Sequence, residues 1–212
     1  MAVYDLEEQE KLSALKAWWE QYGNIVSGVV IAICVTIIAV QGWRWYTRGQ
    51  AEKAAVLYNA ISSAIQSSAN DKAKDAGAQL LDKYPSSAYA ARGALLLAKL
   101  AVDANDRALA KTHLQWVVDR ASEDEMKQVA RLRLAYILFD EKAYDDALRM
   151  LDAKHDEALD GLYLDARGDI LAAAGKAAEA RTAYQEALQK LDPKGQHRTL
   201  VQLKLDSIGD GK

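Results

Sequence analysis

Between Glu20 and Arg44 the chain carries no charge for 23 residues, and the centre of that stretch, Asn24 to Gln41, reads NIVSGVVIAICVTIIAVQ. A helix of that length measures about 34 Å, enough to cross a hydrocarbon core of about 30 Å. Aromatic side chains bracket it: Trp18, Trp19 and Tyr22 before, Trp43, Trp45 and Tyr46 after. Indole and phenol rings favour the headgroup level, so two belts one bilayer apart are expected of a spanning helix in contact with membrane lipid. A helix buried in a soluble core has no need of them. Within the span, Gly28, Ala32 and Thr36 recur every four residues and form a small-residue face that permits close approach of another helix.

The flanks extend this reading. Residues 1–22 are acidic at the start, and Leu12, Leu15, Trp19 and Tyr22 then recur at helical spacing among Lys11, Lys16 and Glu20. That pattern predicts an amphipathic helix lying in, or feeding into, the membrane interface. A cleaved signal peptide fits poorly, because the leading region is acidic and Trp43-Arg44-Trp45-Tyr46 follows where small residues would be needed. We expect an uncleaved anchor over residues 23–46. Lys11 and Lys16 precede it while Arg44, Arg48 and Lys53 follow, a margin too small to orient it. The only cysteine, Cys34, lies inside the span, so the remainder can form no disulfide. After Arg48, acidic and basic residues nearly balance, which leaves no basic face for nucleic acid. Two prolines, 12 glycines and much Ala, Leu, Lys, Asp and Gln predict an all-α protein.

From Gly49 the sequence repeats. The clearest unit starts at Gly161 and contains ARGDILAAAGKAAEARTAYQEALQKLDP, with Gly168 at position 8, Leu171 at 11, Gly175 at the turn, Ala180 at 20, Tyr184 at 24 and Ala187 at 27. Earlier units start near Ala54, Ala91 and Gln128, and both prolines, Pro85 and Pro193, fall where a second helix must stop. This resembles the tetratricopeptide pattern, a helix pair of about 34 residues whose small residues let the two helices close. Four such pairs over residues 47–212 would stack into one solenoid. A last helix, 197–208, would cap it with Leu200, Leu203 and Ile208 on its inner side. The tail Gly209–Lys212 is expected to fray.

No constellation for chemistry is visible. His113, His155 and His197 stand on different elements without a second ligand at zinc spacing, and read as surface side chains. Carboxylates such as Asp145-Asp146 and Glu123-Asp124-Glu125 sit at turns and helix starts, where they complement the helix dipole. No phosphate-binding glycine loop is present, so neither cofactor nor metal is expected. The functional surface is then the concave face of the first helices. Repeat positions 2, 5, 9 and 12 nominate Tyr58, Ile65, Leu95, Val102, Leu132, Tyr136 and Phe139 as groove residues for a peptide segment, against the alternative that they fill the interface within a pair. Repeats that clamp a chaperone's C-terminal carboxylate carry Lys and Asn at positions 5 and 9. Here those positions hold Tyr58 and Ser62, Leu95 and Lys99, Leu132 and Tyr136, then Asp165 and Asp169.

Taken together, LKAWWEQYG before the span, GWRWY after it, the stretches AAVLYNAISSAI and LRLAYILFDEKAYDDALRMLD, and the closing LVQLKLDSI resemble the YfgM family. Its members are ancillary subunits of the bacterial SecYEG translocon, and the resemblance runs essentially the full length. It implies a single-pass inner-membrane protein with residues 1–22 cytoplasmic and the repeat domain periplasmic. It also implies partnership with SecYEG, with the membrane-anchored periplasmic chaperone PpiD, and with newly translocated proteins, in a non-enzymatic adaptor role. Alternatives are a scaffold that assembles membrane complexes through the span, and an inhibitor of a cytoplasmic signalling protein.

Overall fold

The computed structural model of the chain describes residues 2–208, with side chains from residue 10 onward; the tail expected to fray lies outside the described residues. Contacts divide the chain into two units, one ending at Gln50 and one beginning at Ala51. Helix α1 spans Ala2–Gln66, so residues 51–66 belong to the second unit. The helices that follow are α2 (Asn70–Lys83), α3 (Ala88–Asp103), α4 (Arg107–Arg120), α5 (Asp124–Asp140), α6 (Tyr144–Leu151), α7 (Asp160–Ala173), α8 (Ala177–Lys190) and α9 (Gln196–Ser207). A 3-10 turn over Glu157–Leu159 leads into α7. The second unit is thus a row of helix pairs, all-α as its composition requires.

The turn within each pair has the same construction. Ser68, Asn105, Lys142 and Gly175 take left-handed φ values of 56°, 60°, 62° and 79°. One residue further on, a backbone N–H reaches back five residues: Ala69 to the Ala64 carbonyl, Asp106 to Ala101, Ala143 to Leu138 and Lys176 to Leu171, at 2.8–2.9 Å. This is the Schellman ending, which satisfies a carbonyl that the last helical turn would otherwise leave unpaired. Asp106 then caps α4 by accepting from the Leu109 N–H at 3.0 Å, and Ser87 caps α3 by accepting from the Tyr89 N–H at 3.0 Å.

Packing repeats with the turns. Ala73, Ala110, Ala147 and Ala180, the second-helix alanines, are all fully buried. A methyl group is small enough for the two backbones of a pair to close on it. The core passes along the row in four linked clusters. Ile61, Leu80 and Leu97 anchor the first; Leu95, Leu114 and Leu134 the second; Ala135, Leu151 and Ile170 the third; Leu171, Tyr184 and Val201 the last. Each buried Leu or Ile stabilises the fold by about 1.5–3 kcal/mol, and no pair can bury its apolar stripe without its neighbours.

Helix α9 corrects one expectation. Its inner side is Val201, Leu205 and Ile208, with Val201 fully buried, whereas Leu200 and Leu203 face outward and are 48% and 62% exposed. Residues at i, i+4 and i+7 make a longer stripe than a pair at i and i+3, and the longer stripe takes the contact.

Candidate functional site

Two of the seven groove residues meet in one place. Val102 of α3 and Tyr136 of α5 line a crevice of about 380 Å³ that also takes in Lys99, Arg133, Ile137 and Asp140. Val102 is 47% exposed. Lys99 is engaged by Asp103 one turn on, at 2.5 Å. Arg133 and Asp140 are exposed, and neither makes a hydrogen bond or ion pair among the described residues. The crevice therefore offers an apolar floor with one cation and one anion free at its edge.

The other five lie apart from it. Leu95 is buried in the core with Ala91 and Leu114. Tyr58 and Ile65 pack on the first cluster, with the Tyr58 ring centroid 5.7 Å from Tyr89. Leu132 and Phe139 pack on the third, Phe139 lying 6.2 Å from the Tyr144 ring. On the opposite flank of α5, a wider opening of about 940 Å³ between α4 and α6 exposes part of Trp116, with Leu134, Leu138 and Met150. Trp116 is the only tryptophan outside the two aromatic belts, and helical spacing alone gave no reason to single it out.

A second feature is a charged cluster that the repeat positions of Asp165 and Asp169 did not foretell. Asp165, 1% exposed, and Asp169 one turn later are joined by Lys204 of α9, whose Nζ lies 2.9 Å from Asp165 Oδ1 and 2.7 Å from Asp169 Oδ2. His197 Nε2 stands 2.9 Å from Asp165 Oδ2, and the Tyr184 hydroxyl donates to Asp169 Oδ1 at 2.7 Å. Burial, then the bond to Asp169, pushes the Tyr184 phenol pKa well up. Burial, then the charges of Asp165 and Asp169, does the same to Tyr136. Burial disfavours the Lys204 ammonium, but its hydrogen bonds to Asp169 and Asp165 outweigh that and hold its pKa above the ordinary lysine value. Lys204 bridges both carboxylates and so fixes α9 in place, while His197 Nε2 lies close to Asp165 without forming a hydrogen bond.

The histidines are not simple surface side chains. Burial lowers the His113 pKa. His155 stacks on the Tyr163 ring at 3.8 Å, with Nε2 3.3 Å from Asp160. Tyr163 in turn donates to the Gln128 carbonyl at 2.8 Å, and buried Gln128 accepts from the Asp156 N–H at 3.1 Å, which ties down the connection between α6 and α7. Among the described residues no group of His, Cys, Asp or Glu is placed to hold a metal ion.

In the first unit, Trp18, Trp19, Tyr22, Trp43, Trp45 and Tyr46 are all exposed, as is Cys34. Trp19 folds over Gly23, where an added Cβ would lie 3.1 Å from the indole. A Cβ at Gly28 would meet nothing within 4 Å, and the Thr36 hydroxyl turns back to donate to the Ala32 carbonyl at 2.8 Å. The Gly28, Ala32 and Thr36 face is therefore smooth and open. Among the described residues one helix is long and apolar enough to cross a membrane.

A row of helix pairs with an open crevice, preceded by such a helix, defines a solenoid of the tetratricopeptide type. Residues 16–210 match the tetratricopeptide repeat-like domain family. The chain is 31% identical over 210 residues to the ancillary SecYEG translocon subunit of Neisseria gonorrhoeae, covering 96% of this chain and 98% of that one. It is 27% identical over 212 residues to the protein of the same name from Escherichia coli K12, covering 98% and 99%. A solved structure of pilF from Pseudomonas aeruginosa shares the fold with a TM-score of 0.60 at 18% identity, over 76% of this chain and 69% of that one. The chain belongs to the family of ancillary SecYEG translocon subunits.

Proposed function

We propose that this protein is a non-enzymatic adaptor of the Sec translocon in the bacterial inner membrane. Residues 23–46 cross the bilayer, residues 1–22 lie in the cytoplasm, and the repeats of residues 47–212 work on the periplasmic side. There the crevice at Val102 and Tyr136 holds partner proteins or newly translocated chains, and PpiD is the chaperone partner. The observation that carries the reading is the likeness along nearly the whole length to relatives named for the translocon. The anchor adds a physical reason: it raises the effective concentration of the repeats near any chain emerging close by.

A photo-crosslinking residue at Val102, activated in intact membranes, tests this. SecYEG subunits, PpiD or a secretory chain should be captured from Val102 and not from Leu203 on the outer side of α9. Capture of none of them from Val102 defeats the proposal. The open face at Gly28 favours a second reading, in which the span does the recognising. Repeating the capture with Gly28, Ala32 and Thr36 replaced by Leu separates the two, because only the second reading loses every adduct.

A further inference from the structure

The crevice between α3 and α5 has a charge order of its own. Along α5, Arg133, the pair Tyr136 and Ile137, and Asp140 fall at i, i+3/i+4 and i+7, and all four line the opening. They make a straight ridge two helical turns long, about 10 Å from cation to anion, with the apolar floor between. Helix α3 repeats the order, Lys99 coming before Asp103 with Val102 between them. Those two charges are spent on each other at 2.5 Å. Arg133 and Asp140 are not: both are exposed, with no partner among the described residues. Two opposite charges on one helix face, too far apart to pair, are complementary to a ligand that is itself bipolar.

Resting on the reading of this crevice as a polypeptide-binding site, we propose that its occupant is an amphipathic helical segment. Its binding face carries an acidic residue and a basic residue two turns apart, with aliphatic or aromatic side chains between them. The acid lies on Arg133, the base on Asp140, and the apolar pair fills the floor against Val102, Tyr136 and Ile137. A helix suits this ridge because its own i, i+3/i+4 and i+7 positions share one face at the spacing that α5 presents. An extended strand covers the same 10 Å in about three residues and turns alternate side chains away. The volume, about 380 Å³, lies at the small end of the range for ligand pockets, consistent with a few side chains rather than a folded domain.

The test uses the full chain in nanodiscs of zwitterionic lipid, with empty discs as the blank. Three fluorescent helical peptides share one apolar pair and differ only at the two flanking positions: Glu with Lys, Lys with Lys, and Glu with Glu. The wild-type chain should bind the mixed peptide on the order of fivefold more tightly than either like-charged one, as expected of two exposed ion pairs. Arg133→Glu should transfer the preference to the Lys–Lys peptide, and Asp140→Lys to the Glu–Glu peptide. Both positions are exposed and unpartnered, so neither change disturbs the fold. An order of affinities that stays the same in both variants overturns the charge register, while crosslinking from Val102 in membranes still stands or falls separately. Capture of a second copy of this chain from Val102, competing with the peptides, overturns the proposed occupant.

Discussion

Asp165 holds a nearly inaccessible carboxylate in the middle of α7, and such a group is tolerated only when its charge is answered. Lys204 answers it and Asp169 together, with His197 and Tyr184 completing the set. Replacing Lys204 by Met leaves two carboxylates facing one imidazole and should cost about 2–3 kcal/mol at pH 7, less than for a sealed ion pair because Lys204 keeps some exposure. The alkaline limb follows from the pKa directions. Lys204, Tyr136 and Tyr184 all hold their protons more tightly when folded than when unfolded. Their contribution is complete below about pH 10 and drains away above it, as the unfolded chain releases protons that the folded one keeps. Thermal unfolding of the full chain in detergent, followed between pH 7 and 11, should stay level to about pH 10 and then fall. Lys204→Met should start lower and fall less steeply. The two aspartates were visible in the sequence as positions that break the carboxylate clamp. Their partner was not, because Lys204 follows Asp165 by 39 residues and meets it only through the way α9 is laid down.

At the scale of elements, the turn of each pair carries the repeat most faithfully. The left-handed residue is glycine in only one of the four turns, while Ser68, Asn105 and Lys142 occupy the others at φ values that crowd a Cβ. Lys142→Gly relieves that crowding in a turn whose hydrogen bonds are already made, Lys142 to Phe139 and Ala143 to Leu138, both at 2.9 Å. It should stabilise the chain by about 1 kcal/mol, whereas Gly175→Ala should destabilise it by a similar amount; thermal unfolding of both variants checks the pair. The helices and their small residues were legible because periodicity and the Ala positions are local. The faces were less so. On α5, Leu132, Tyr136 and Phe139 all pack on one core cluster, yet of the three only Tyr136 also reaches the open crevice. Such a division is set by which neighbour covers which part of the helix, and a single helix does not record it. On α9 the fuller stripe, Val201, Leu205 and Ile208, was present in the sequence, and weighing it against Leu200 and Leu203 would have chosen the inner side.

At the scale of the whole molecule, the chain joins a unit whose described apolar side chains are almost all exposed to one with a buried apolar core. In the first, Ile31, Ile38 and Trp45 are 63%, 70% and 81% exposed, which in water would be an aggregation surface and in lipid is a solvated one. The side of the bilayer on which the repeats lie does not follow from the flanking charges, since Lys11 and Lys16 stand against Arg44, Arg48 and Lys53. The positive-inside rule also weakens when a long domain follows, because such a domain is translocated largely regardless of nearby charge. Adaptor work at the translocon exit requires periplasmic repeats. Protease added to spheroplasts should then digest the repeat unit and leave a membrane-bound fragment that contains residues 23–46. In intact cells the same protease should leave the chain whole. A repeat unit protected in spheroplasts and cleaved only after lysis would put the crevice in the cytoplasm, rule out contact with translocated chains, and favour an inhibitor of a cytoplasmic signalling protein. The experiment therefore decides between functions as well as between orientations, because the crevice can meet only the proteins on its own side of the membrane.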